Sequence, residues 1–177
     1  MPADPAMQTP HLILGGAKSG KSAYAERLIT AYPAPYVYVA TAQVLDEEMA
    51  ERVSTHQKRR VLSWETMESP LELAATLRQL LGRNRAVLVD CLTLWLTNLL
   101  LQTPEAPPEE AVQDLVELIQ TVDYPLFLVA NEVGGGIVPE NALARRFRDL
   151  AGSTSQRVAS ACRAVTLVVA GLPLRLK

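Results

Sequence analysis

A mainly parallel α/β fold, with helices on both faces of the sheet, is the architecture this sequence predicts, and two observations carry the prediction. The first is a Gly-rich stretch, Gly15-Gly-Ala-Lys-Ser-Gly-Lys-Ser22, set between an apolar run and a helix-forming run. The second is the alternation of short apolar, β-rich segments with longer helical ones along the chain. The Gly-rich stretch fits G-x-x-x-x-G-K-[ST], the phosphate-binding loop of P-loop nucleotidases. Gly15, Gly16 and Gly20 free the backbone to curl successive N–H groups around a phosphate chain. Lys21 sets a point charge against the β- and γ-phosphates, and the Ser22 hydroxyl suits Mg²⁺. A nucleoside triphosphate is therefore the expected ligand.

The elements follow in order. Leu12, Ile13 and Leu14 form a short buried strand before the loop, and Ser22 to Ile29 continues as a helix whose N-terminus faces the anion. Tyr32 to Pro35 makes a turn, and Tyr36-Val-Tyr-Val-Ala-Thr41 is a second strand rich in β-formers. Thr41, Ala42 and Gln43 leave that strand at its carboxyl end, where open α/β sheets place ligand contacts. Asp46 to Arg60 is acidic at its start and basic at its end, in keeping with the helix macrodipole. Leu62 to Thr66 is a further short strand, and Glu68-Ser-Pro70 opens a helix running to about Leu81, with Pro70 near its first position. Arg85 to Asp90 is a buried strand ending in an acid. Cys91 to Leu101 continues as a loop and helix carrying Trp95, and a Pro-rich connection spans Thr103 to Pro108. Glu109 to Thr121 is an amphipathic helix, Tyr124 to Ala130 a strand ending in Asn131-Glu132, and Gly134 to Gly136 a flexible loop. Asn141 to Arg163 is helical, Ala164 to Ala170 a strand, and Leu172 to Lys177 an extra edge strand.

At 177 residues the chain suits one domain with a sizeable core. We expect a flexible tail over 1–10 and a single nucleotide-binding catalytic domain over 11–177. With 49% hydrophobic and 20% charged residues and a formal charge of −2, nothing favours nucleic acid or a membrane surface. The run from Ala86 to Leu101 is broken by Asp90 and Asn98 and is short for a membrane span. Cys91 and Cys162 sit in apolar surroundings without metal-ligand spacing, which fits buried free thiols in a reducing compartment. The start of the chain lacks the basic and apolar regions of a signal peptide, so a cytoplasmic location is expected.

Several residues could carry chemistry. Asp90 ends an apolar strand, where a P-loop enzyme keeps its Mg²⁺-positioning acid; capping of the following segment is the plainer alternative. His56, one of two histidines, shares a partly apolar helix face with Val53 and Met49. That placement alone suits a core histidine. Arg52 before it and Lys58, Arg59 and Arg60 after it favour neutral imidazole, the form able to attack phosphorus, and would also bind phosphates. A solvated helix end is the rival account of those three cations. His11 reads as structural. Asn131, Glu132 and the glycine loop could bind a second substrate, although a mere turn would need similar glycines; of Arg145, Arg146, Arg148 and Asp149 one or two could face a phosphate, with solvent-facing charges the default.

Together the motifs resemble one family, the bifunctional adenosylcobinamide kinase / adenosylcobinamide-phosphate guanylyltransferase of cobalamin assembly. The resemblance covers nearly everything after the tail. It rests on Gly15 to Ser22; Tyr38-Val-Ala-Thr-Ala-Gln43; Asp46-Glu-Glu-Met49 with Arg52, His56, Arg60, Trp64, Thr66 and Glu68; Val89 to Asn98; and Asn131-Glu-Val-Gly-Gly-Gly-Ile-Val-Pro-Glu-Asn141 through Arg145, Phe147-Arg-Asp149 and Gly152. It implies a RecA-like P-loop NTPase sheet, a homotrimer, ATP and GTP as substrates, and Mg²⁺. It implies two reactions. A triphosphate phosphorylates the aminopropanol hydroxyl of adenosylcobinamide. His56 then attacks the α-phosphate of GTP, and the resulting GMP–histidine passes GMP to adenosylcobinamide phosphate. The family's nucleotide contacts map onto Gly15, Gly16, Ala17, Lys18, Ser19, Gly20, Lys21, Ser22, Thr41, Ala42, Gln43, Gln57, Lys58, Arg59, Arg60, Glu68 and Asp90, with Lys21 and His56 as catalytic residues and Ser22 and Asp90 at the metal. Lys18 stands where the family usually has Arg, and Gly152-Ser-Thr-Ser-Gln156 replaces the usual Gly-Arg-x-Asn-Gln.

Overall fold

The computed structural model describes residues 8–43, 63–102 and 107–177. The expected helix over Asp46 to Arg60, with His56 on it, lies outside the described residues, as do residues 1–7. Pro10, placed in the tail, is buried, and its carbonyl accepts from the Arg163 N–H at 2.8 Å.

Seven strands form one sheet: β1 (His11–Gly15), β2 (Tyr36–Ala40), β3 (Trp64–Glu68), β4 (Val87–Asp90), β5 (Leu126–Asn131), β6 (Ala164–Val169) and β7 (Leu172–Arg175). Their order across the sheet is β3-β2-β4-β5-β1-β6-β7. All neighbours are parallel except β6 and β7, which pair antiparallel with Val169 opposite Leu172. Between them Ala170 and Gly171 both have positive φ, 52° and 78°, the requirement of a two-residue hairpin turn that matches strand twist.

The inner strands are apolar on both sides because both faces of the sheet are covered. Alternation sorts their side chains. Leu12, Val37, Val39, Val87, Val89, Leu126 and Leu128 pack with α2 (Leu73–Arg78), α3 (Leu92–Gln102), α4 (Pro108–Ile119) and α5 (Ala142–Ala161). Ile13, Tyr36, Tyr38, Leu88, Phe127 and Val129 pack on the opposite face with Tyr24, Ala25, Leu28 and Ile29 of α1 (Lys21–Ile29). Helices on both faces were expected, and both faces carry them.

Two elements differ from the sequence expectation. The strand expected over Leu62 to Thr66 runs Trp64–Glu68, shifted along the chain. It is an outer strand with mostly exposed side chains, so no apolar alternation marks its ends. The helix expected from Pro70 to Leu81 is regular only over Leu73–Arg78 and closes through turns to Gly82 at φ 73°. Pro70 precedes it instead of opening it. The Pro70 carbonyl accepts from Asn98 Nδ2 at 3.0 Å, which ties the segment to α3.

Candidate active site

The parallel strands bring the predicted ligand residues to one edge of the sheet, at their carboxyl ends. Gly15 ends β1, Thr41 follows β2, Glu68 ends β3, Asp90 ends β4 and Asn131 ends β5. Register fixes the neighbours: Ala40 lies beside Glu68 and beside Asp90, and Gly15 beside Asn131. Strand alternation then sets the face. Asp90 falls with Leu88, Gly15 with Ile13, and Asn131 with Phe127 and Val129, all toward α1.

The loop itself is a compact turn. The Ser19 N–H donates to the Gly16 carbonyl at 3.2 Å, and Lys18 and Gly20 take positive φ of 55° and 94°. Gly20 caps α1 with no side chain, and the first turn holds no acid. Its unpaired N–H groups and the positive end of the helix dipole are thus open to an anion. Gly16, Ala17 and Lys18 are exposed. The back of the loop is closed. The Gly171 N–H donates to the Ser19 carbonyl at 2.8 Å, and a Cβ on Gly20 would stand 3.2 Å from Gly171 Cα. A Cβ on Gly15 would meet the Val168 carbonyl oxygen at 2.7 Å and press on Ser19 Oγ. We therefore expect Gly15→Ala to cost about 1–3 kcal/mol by overpacking and to weaken nucleotide binding. Urea denaturation and calorimetric titration with a nucleotide check this; unchanged values for both would refute it. No such clash surrounds Gly16, which has open space about it.

Lys21 is 9% exposed, and its Nζ donates to the Gly16 carbonyl at 3.1 Å, so its ammonium already lies against the loop. Burial pushes the Cys91 thiol up to about 11; the Asp90 charge adds to the rise and the Lys21 charge opposes it. One thiol thus feels both the loop cation and the strand-end acid. The half-buried Ser22 hydroxyl and the Asp90 carboxylate supply the hard oxygen ligands that Mg²⁺ takes, so this donor set fits that ion.

Thr41 is wholly buried, and its hydroxyl is engaged within the protein. It donates to the Cys91 carbonyl at 2.7 Å and accepts from the Cys91 N–H at 2.8 Å, joining the end of β2 to the residue after Asp90. Ala42 and Gln43 are half-buried, and the Gln43 amide pairs with that of Gln102. Glu68 is exposed. His56, Gln57, Lys58, Arg59 and Arg60 lie outside the described residues. Arg145 folds back onto the Pro139 carbonyl at 2.9 Å and the Glu140 carbonyl at 2.5 Å, at the start of its own helix. His11 is buried with Nε2 2.9 Å from Thr166 Oγ1, in the structural role expected of it.

Two supporting residues escaped the sequence reading. Asn98 Nδ2 donates to the Thr41 carbonyl at 2.8 Å as well as to Pro70, and Thr93 Oγ1 accepts from the Asn131 N–H at 2.6 Å. Both are buried polar residues on the mostly apolar α3, and that contrast is the signal that could have revealed them.

A family model described as cobinamide kinase / cobinamide phosphate guanyltransferase matches residues 11–176. The chain belongs to this family. Its relatives include the bifunctional adenosylcobalamin biosynthesis protein CobP of Pseudomonas aeruginosa, 48% identical over 166 residues that cover 94% of this chain and 96% of that one. The bifunctional adenosylcobalamin biosynthesis protein CobU of Salmonella typhimurium is 42% identical, covering 94% and 98%. That of Escherichia coli is 39% identical with the same coverage. Solved structures speak to the fold. An ATPase from a bacterial type III secretion system superposes with a TM-score of 0.53 at 12% identity, covering 97% of this chain and 59% of the other. A Pyrococcus horikoshii protein gives 0.54 at 12% identity, covering 96% and 86%. This cobinamide kinase / guanyltransferase family member thus has the P-loop NTPase fold that its Gly-rich loop predicts.

Proposed function

We propose that this chain carries out two successive transfers in cobalamin assembly, phosphorylating adenosylcobinamide and then guanylylating the product. The observation that carries the reading is the family match across residues 11–176, joined to a loop already shaped as a phosphate cradle. In the first step the triphosphate lies along Gly15 to Ser22, with the α1 N–H groups and Lys21 against its phosphates. Ser22 and Asp90 would hold Mg²⁺, which neutralises phosphate charge when bound. Thr41, clasped to Cys91, and Ala42 and Gln43 shape the neighbouring wall, and Glu68 extends the same edge. The aminopropanol hydroxyl attacks the γ-phosphorus, and the diphosphate departs with the bonding electrons.

In the second step neutral His56 attacks the α-phosphorus of GTP and pyrophosphate leaves. The phosphate of adenosylcobinamide phosphate then attacks the same phosphorus and frees the imidazole. Dividing the transfer lets one side chain serve as nucleophile and then leaving group. Gln57, Lys58, Arg59 and Arg60 are assigned to the nucleotide beside it. A homotrimer belongs to the same reading; Val169, Leu172, Leu174 and Leu176, each more than half exposed near β7, support self-association. Among the described residues, no helix is long and apolar enough to cross a membrane.

The test uses GTP labelled at its α-phosphate. We expect one GMP per chain, acid-labile and base-stable, on the peptide containing His56, as read by mass spectrometry. Phosphorylation of adenosylcobinamide with no protein-bound GMP would reduce the chain to a simple kinase.

A further inference from the structure

The amide of Asn131 presents an unanswered acceptor. Its Oδ1 is buried and finds no donor among the described residues. A buried carbonyl oxygen without a partner is destabilising, so its persistence at a ligand edge calls for a ligand that donates to it. The surroundings say where that ligand stands. Asn131 ends the strand lying between β1, which leads into the phosphate loop, and β4, which ends in Asp90. Gly15 is its register partner on one side. Asp90 pairs with Val129 on the other side, so it is a diagonal neighbour on the same face, about 8 Å away by strand spacing and rise. The backbone cannot drift. Thr93 Oγ1 holds the Asn131 N–H at 2.6 Å, and the next N–H, of Glu132, donates to the Gly15 carbonyl at 3.0 Å.

We propose that Asn131 binds the alcohol substrate of the kinase step, its Oδ1 accepting the hydrogen bond of the attacking hydroxyl; this rests on the kinase reading above. Phosphate oxygens only accept, so the triphosphate itself cannot satisfy this group. A hydroxyl can. Held by its proton, the hydroxyl turns an oxygen lone pair toward the γ-phosphorus bound between Lys21 and Asp90. The new bond joins that oxygen to phosphorus, and the bond from phosphorus to the β,γ-bridging oxygen breaks. The nucleoside diphosphate takes that electron pair. An amide is too weak a base to keep the proton, which passes to a phosphoryl oxygen and then to water.

Asn131→Leu and Asn131→Ala in the full chain test this. Leu keeps the branched shape of the side chain and removes the unpaired oxygen, so its urea midpoint should equal or exceed that of the wild type. Both variants should bind an unhydrolysable ATP analogue with Mg²⁺ within about threefold of wild type and load GMP from GTP normally. Their kcat for adenosylcobinamide phosphorylation should fall by about 10²-fold, the scale of a misplaced reactant. A kcat within threefold of wild type overturns the assignment. So does a parallel loss of analogue binding, which would place a metal-bound water or a structural role at this oxygen. A wild-type chain that leaves adenosylcobinamide unphosphorylated overturns the kinase reading itself, and the proposal with it.

Discussion

Lys21→Ala lowers the turnover of adenosylcobinamide phosphorylation by about 10²–10³-fold, the range found when one preorganised transition-state donor is removed. In the free protein the ammonium lies against the Gly16 carbonyl at 3.1 Å, and the residue as a whole is 9% exposed. A neutral carbonyl is a poor match for a largely desolvated cation. The triphosphate offers charged oxygens in its place, and charge-assisted hydrogen bonds are about twice as strong as neutral ones. The gain is largest where charge builds on the phosphoryl oxygens during transfer. Folding does not need this side chain in the same way, because among the described residues it hydrogen-bonds the carbonyl of Gly16, an exposed loop residue. Steady-state kinetics and a urea denaturation curve read the two effects separately. The outcome that would defeat the assignment is turnover within threefold of wild type, or a lost fold that explains the lost activity.

We expect His56→Ala to abolish labelling of the protein with GMP while leaving ATP-dependent phosphorylation within about threefold. Guanylyl transfer should fall at least about 10³-fold, equivalent to about 4 kcal/mol of barrier. That the carrier is a histidine is what the family resemblance implies, and the fold bears on which of the two it would be. The sequence holds two histidines. His11 begins β1, at the opposite end of that strand from the loop, and is 1% exposed with Nε2 beside Thr166. It cannot reach a nucleotide on the loop. Protein-bound label should therefore vanish with one substitution at His56 and persist in His11→Asn. Normal labelling of His56→Ala would show that the guanylyl group rides on another side chain.

Much of this was legible in the sequence because the informative features are local. Glycines at 15 and 20 followed by Lys21 and Ser22 specify a loop through backbone freedom and charge, needing no knowledge of distant partners. The inner strands β1, β2, β4 and β5 read as apolar runs because they are covered on both faces. The order in which they lie side by side was not legible. Nothing in the residues of β5 says that it inserts between β1 and β4, yet that insertion is what sets Asn131 between the loop and Asp90. The same holds for Thr41, which reads as a ligand contact at a strand end but directs its hydroxyl into the protein, toward Cys91, a partner fifty positions away. Asn98 belongs to the same web, built by tertiary approach.

The hairpin turn at Ala170–Gly171 has a thermodynamic consequence for ligand capture. Because it fastens the Ser19 carbonyl, and because Val168 closes the space behind Gly15, the cradle is set before any nucleotide arrives. The entropy of fixing those residues is lost once, when the chain folds, and not again at each encounter. Affinity for the triphosphate then reflects the phosphate contacts themselves, undiminished by the cost of moulding a loose loop around them.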